Sequence, residues 1–373
     1  MDAELTAWLS SLVGSQVTRV DSLRENRPLR RVSRVVLSEG PSVIVKHLAD
    51  EPGVGRADDR EYALACLGNE ALALSVLGQH APGLAPGLVG VNASHGAVVL
   101  TDLGARPSLA TLLLGDEATA AAEGLRCWAE ALGNLHGACA GRTAEIETVR
   151  RSIGLPTRGT GFLGDIERRW HAVTRSLADW GLSAPRSCGD EVEAVEAALR
   201  DPRFATLLHG DPCPDNTTVD PLVLFDWETA YVGHALLDAA YLWMPFPTCW
   251  CAGEAPGKVV AEAEVAYRRA ASAGLPEVAD DGSYRHAMGE AVVAWWIQTS
   301  VWGLERSTAD DPTWGISTHR HRLVHRARVL LARRDELAAR YPGLIELAAS
   351  IEAAASERWP EAARGLATFP AFA

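Results

Sequence analysis

HGDPCPDN, residues 209–216, sets a histidine, two aspartates and an asparagine around two prolines. Each proline lacks an amide donor and fixes its own φ, so this stretch cannot be a regular helix or a central strand. It reads as a stiff loop carrying acids and an amide, a good place to hold a metal ion and a substrate. Short apolar runs flank it, TLLHG at 206–210 and LVLFDW at 222–227. Joined as a small hairpin, they would bring Asp211, Asn216 and Asp226 to one end. Two carboxylates and an amide oxygen are hard ligands, suited to Mg²⁺ rather than zinc.

The chain around this loop has 373 residues, long for one core and suggestive of two packed lobes. Its net charge of −13 argues against nucleic acid as a partner, because phosphate backbones need clustered cations. The same charge suits solubility, or a cationic small molecule. No apolar run reaches the roughly 18 residues of a membrane span. The start, MDAELTAWLSSLVGS, has acids and no basic segment before its apolar residues, so the expected location is cytoplasmic. All seven cysteines are accordingly expected to be reduced, with Cys249 and Cys251 read as core thiols.

The first hundred residues are rich in β-branched runs: VTRV (17–20), VSRVVLS (32–38) and VIVKHL (43–48), the last two joined by a hairpin-length SEGPS turn. A helix is predicted from about Asp58 to Gln79, with Gly68 near its middle, followed by a strand in GAVVLTDLG (96–104). From about Pro107 the chain turns alanine- and leucine-rich. Long helices are predicted near 257–273, 284–304, 318–340 and 343–358. The predicted fold is α+β, with a small β-rich lobe over 1–104, a hinge at about 101–107 and a large helical lobe over 105–373.

A loop aspartate, an asparagine five residues on and a second aspartate after the next strand fit the template of kinase-type phosphoryl transfer. That template also demands a lysine on the third strand of a small β lobe, paired with a helix glutamate. VIVK supplies Lys46, and Lys258 is the only other lysine in the chain. An ammonium is compact enough to sit between α and β phosphates, where a planar guanidinium would not be equivalent. Glu70 is the best helix partner; Glu61 lies on the far side of Gly68.

H209-G210-D211-x4-N216, F225-D226-W227-E228 and G233-H234-x3-D238 together resemble the aminoglycoside phosphotransferase and choline kinase-like family. VIVK, EALALSVLG and VVLTDLG resemble its amino-terminal lobe, so the likeness runs over about residues 17–245. The resemblance implies a protein-kinase-like fold, a purine site at Thr101, Asp102 and Leu103, and transfer from Mg²⁺-ATP, or GTP, to a hydroxyl. It makes Asp211 the catalytic aspartate and Asn216 and Asp226 the metal ligands. His209 would brace the loop and Asp238 would hydrogen-bond its backbone. One departure is the SLRENRPLRRVS loop (22–33). It has no glycine for close backbone approach to phosphate, leaving Arg24, Arg27, Arg30 and Arg31 as side-chain candidates.

The acceptor pocket is expected in the helical lobe. MPFPTCWC (244–251) follows the metal-binding region, and VVAWWIQTSVWGLE (292–305) carries Trp302 and Glu305. Asp310 and Asp311 follow, in STADDPTW (307–314). These residues suit a cationic or sugar-containing acceptor such as an antibiotic. A metabolite kinase for choline, homoserine or a sugar would share all the chemistry. A nucleotide-binding regulatory module would have no need of Asp211. Nothing in the sequence indicates an oligomeric state.

Overall fold

In a computed structural model of the chain, all residues are described except 25–28, 50–56, 160, 162, 164–165 and 309–312. The amino-terminal part is an antiparallel sheet of β1 (Val17–Arg24), β2 (Arg30–Leu37), β3 (Val43–Leu48), β4 (Leu88–Asn92) and β5 (Ala97–Thr101), in spatial order β1-β2-β3-β5-β4. Helix α1 (Ala3–Val13), absent from the sequence reading, covers one face. Asp2 caps it by accepting from Leu5 N at 2.7 Å.

Strand alternation sorts β3 into two faces. Val43 and Val45 join Val35, Val99 and Leu9 of α1 in a small core. Ile44 and Lys46 therefore turn to the opposite side, toward α2 (Ala57–His80). Gly68 does not break α2. A Cβ there would lie 1.9 Å from the Pro156 carbonyl oxygen, so the glycine lets the 155–156 backbone pack directly on the helix.

The remainder is mostly helical: α3 (Leu109–Leu113), α4 (Ala118–Cys139), α5 (Thr143–Ser152), α6 (Ile166–Ala178) and α7 (Cys188–Ala198) precede the quoted loop. After it come α8 (Leu236–Ala239), α9 (Gly257–Ala271), α10 (Asp281–Ser307), α11 (His319–Leu331), α12 (Arg334–Leu337) and α13 (Pro342–Arg358). The helix expected over 318–340 is thus two helices. Between them Arg333 lies over the Trp243 ring at 3.2 Å. Trp295 and Trp296 of α10 are core residues, and Trp295 Nε1 donates to Leu237 O at 2.7 Å.

The expected hairpin between 206–210 and 222–227 does not form. Strand β6 (Ala205–Leu208) pairs instead with β9 (Tyr231–His234), while β7 (Thr217–Val219) pairs with β8 (Leu222–Leu224). The catalytic-type loop is therefore closed by two nested pairs. Asp226 falls in the connection from the inner pair to the outer one.

No helix among the described residues is long and apolar enough to cross a membrane.

Candidate active site

Lys46 is half-buried on β3, and its Nζ donates to Glu70 Oε1 and to Asp226 Oδ1, each at 2.7 Å. Burial works against its charge, but Asp226 and Glu70 outweigh that cost and hold the ammonium well above the usual lysine range. Glu70, not Glu61, is thus the α2 carboxylate at this lysine. Asp226 itself adopts a left-handed backbone (φ 66°), an uncommon state for a non-glycine residue that often marks a functional turn.

The next turn ties the sheet to this point. Arg30 on β2 forms a two-pronged ion pair with Glu228, and Asn69 Nδ2 donates to Glu228 O at 3.1 Å. Arg30 is thereby committed to a carboxylate in this structure. Arg27 lies outside the described residues.

Lys46, Glu70 and Asp226 line a cavity of 260 Å³ together with Thr101, Asp102 and Leu103. Its far end is the segment expected to meet a purine. The Asp102 side chain is already occupied there, accepting from Arg34 Nε at 2.5 Å, Ser42 Oγ at 2.6 Å and Gly104 N at 2.8 Å. Burial opposes its charge, yet Arg34 and Ser42 hold the carboxyl below the usual range. Recognition of a base at this segment would fall to its backbone groups.

The quoted loop is built around its own polar groups. His209 is fully buried, packs at a tilt against Trp227 with ring centres 4.4 Å apart, and pairs Nε2 with Phe225 O at 3.0 Å. Buried Asp238 accepts from His209 N at 2.7 Å and Gly210 N at 3.1 Å. Asn216 Nδ2 donates to Asp211 O at 3.1 Å, which leaves the amide oxygen for another partner.

Asp211 is half-buried, and burial raises its carboxyl to about 7. This lies well above the ordinary aspartate value of about 4. Oδ1 accepts from Thr248 Oγ1 at 2.5 Å and Tyr241 OH at 3.2 Å, whereas Oδ2 accepts no hydrogen bond among the described residues.

The cysteine reading needs correction. Cys213 and Cys249 form a disulfide across 36 residues of sequence, with Cα atoms 5.8 Å apart, joining the loop to the 244–251 segment. Cys251 is a buried free thiol, pushed up to about 12 by burial. Asp215 accepts from Trp250 Nε1 at 2.8 Å.

The acceptor-side candidates are less concentrated. Trp302 is half-buried and Glu305 exposed on α10, and neither lines the 260 Å³ cavity or a second one of 340 Å³ beside Tyr241 and Phe246. Asp310 and Asp311 lie outside the described residues. Tyr241 and Thr248, which contact Asp211, escaped sequence reading because neither side chain signals such a contact before the chain is folded.

A sheet-borne lysine paired with two carboxylates, next to an aspartate–asparagine loop, defines a phosphotransferase acting on hydroxyl groups. The chain belongs to the phosphotransferase enzyme family (APH), whose family model matches residues 31–276. No curated protein matches it. Among solved structures, it is similar to a candidate fructosamine-3-kinase from Thermobifida fusca YX-ER1, at 20% identity, 89% and 100% coverage of this and that chain, and a TM-score of 0.52. It is also similar to an amicoumacin kinase in complex with AMP-PNP, Ca²⁺ and Ami, at 13% identity, 90% and 94% coverage, and a TM-score of 0.51. At these identities the likeness is one of fold. The chain is a small-molecule phosphotransferase with a protein-kinase-like architecture.

Proposed function

We propose that this enzyme transfers the γ-phosphoryl group of Mg²⁺-ATP, or GTP, to a hydroxyl of an antibiotic-like acceptor, an aminoglycoside or another natural product. The observation that carries the reading is Lys46 bonded at once to Glu70 and Asp226 in one cavity with the 101–103 segment. Lys46 would meet the α and β phosphates, and Glu70 would keep it aimed. Asn216 and Asp226 fit Mg²⁺, since both offer hard oxygens. When bound, that ion would neutralise charge on the transferred phosphate.

Asp211 then meets the acceptor. The bond from γ-phosphorus to the bridging oxygen of the nucleotide breaks, a bond to the acceptor oxygen forms, and the hydroxyl proton passes to Asp211. The relative bound to AMP-PNP and Ca²⁺ has a nucleotide and a divalent cation on this fold, which supports the co-substrate reading. The net charge of −13 supports a cationic acceptor.

The test is ADP release with ATP and with GTP across aminoglycosides, other antibiotics, choline, homoserine and sugars. Release with an antibiotic supports the reading. Release with choline, homoserine or a sugar alone makes the protein a metabolite kinase. Tight nucleotide binding without release for any acceptor makes it a regulatory module.

A further inference from the structure

Two hydroxyls meet at one oxygen of Asp211. Thr248 Oγ1 and Tyr241 OH both reach Oδ1, and they lie 2.9 Å from each other. Thr248 has a single hydroxyl proton, and the 2.5 Å separation commits it to the carboxylate. An aspartate otherwise turns about its last torsion and offers either oxygen. Donors gathered on one oxygen remove that freedom.

The segment carrying Thr248 is anchored on both sides. Arg326 Nη2 donates to Pro247 O at 2.5 Å, and Arg322 donates to Cys249 O at 2.5 Å and Trp250 O at 2.7 Å. Both arginines are buried. Cys249, the next residue along, is bonded to Cys213, which lies two positions after Asp211. The threonine and the aspartate it contacts thus sit on two backbones joined covalently beside their point of contact.

We propose that Thr248 is a positioning residue for phosphoryl transfer. With Tyr241 it holds Oδ1 so that Asp211 presents Oδ2 to the acceptor hydroxyl, and the Cys213–Cys249 bond keeps Thr248 in place. This rests on the reading of Asp211 as the residue that meets the hydroxyl. Hydrogen bonds to a charged group are stronger than those between neutral groups, enough to select one orientation of a carboxylate.

A purely structural threonine predicts something different. It would lower stability when replaced but leave turnover per folded molecule unchanged.

The experiment uses full-length enzyme and Mg²⁺-ATP with water in the acceptor's place, followed by ADP release. Thr248→Val is expected to lower kcat on the order of ten- to a hundredfold, with KM for Mg²⁺-ATP within about twofold. Thr248→Ser, which keeps the donor, should restore most of the rate. Tyr241→Phe, which removes only a hydroxyl from a buried ring, should lower kcat in the same direction and serves if the valine variant does not fold. Thr248→Val combined with Asp211→Asn should be no slower than Asp211→Asn alone, because the two act as one unit.

Wild-type kcat in both Thr248→Val and Tyr241→Phe overturns the proposal. So does a serine variant as slow as the valine variant. Wild-type kcat in Cys249→Ala overturns the part assigned to the disulfide. If Asp211→Asn itself turns over normally, the underlying assignment of Asp211 has failed, and that result is distinguishable from the others.

Discussion

Lys46 Nζ on β3 and Asp226 Oδ1 beyond β8 lie 2.7 Å apart, although 180 residues separate them in the chain. The same nitrogen donates to Oε1 of buried Glu70. Lys46→Ala leaves both carboxylates without their cation. Removing one partner of a buried ion pair costs about 3–5 kcal/mol. The variant is expected to lose stability on that scale and to bind Mg²⁺-ATP much more weakly, by denaturant unfolding and calorimetric titration. Lys46→Arg is expected to recover stability only in part, because a planar fork cannot replace a point donor between two carboxylates and a phosphate. Unchanged nucleotide affinity in the alanine variant would count against a phosphate role.

Asp211 is raised to about 7 by burial. Its ionised form accepts the hydroxyl proton, and that form is lost as pH falls through this value. kcat/KM for an acceptor found by ADP release should therefore rise with pH, reach half its plateau near 7, and drop about tenfold per unit on the acid side. A profile that is flat from pH 5.5 to 8.5 would show that another group takes the proton.

Gly210 has φ +78°, and a Cβ there would sit 2.3 Å from Thr229 O. The left-handed conformation alone costs an L-residue about 1–2 kcal/mol, and the overlap with backbone adds to it. Gly210→Ala should lower the unfolding free energy by at least about 2 kcal/mol, read by urea denaturation. Because Asp238 holds the Gly210 amide, turnover should fall as well. A variant as stable as wild type would mean that the 209–211 backbone can relax, contrary to its packing.

Buried histidines give the fold an acid limit. Burial lowers His209, and it pushes His234 and His325 down to about 4. In the unfolded chain each ring takes a proton near pH 6.5, whereas the folded protein resists until far lower pH. The stability contribution is complete above about 6.5 and is lost as pH falls towards 4. The melting temperature should accordingly be lower at pH 5 than at pH 7.5 by circular dichroism. Equal values would require another group to compensate.

Some of this was readable before folding and some was not. Lys46 stood out because lysine is rare here and sits in a β-branched run. HGDPCPDN and FDWE stood out because their polar residues keep fixed spacing between apolar runs. Glu70 is already the preferred partner in the sequence; that α2 runs unbroken through Gly68 depends on a close approach by Pro156 that no local pattern encodes. The strand partners of β6 and β8 were misjudged because short apolar runs have no preferred mate, and nested pairing buries them as well as a hairpin would. The Cys213–Cys249 bond was invisible because its two ends meet only after the 244–251 segment folds over the loop. Thr248 was hidden for the same reason.

Glu228 receives Arg30 from β2 and Asn69 from α2, while Asp226, two residues earlier, receives Lys46 from β3. A displacement of this short turn therefore drags three separate elements with it. The turn at 226–228 is thus the common anchor of β2, β3 and α2, and a change at any one of them is felt by the other two through it.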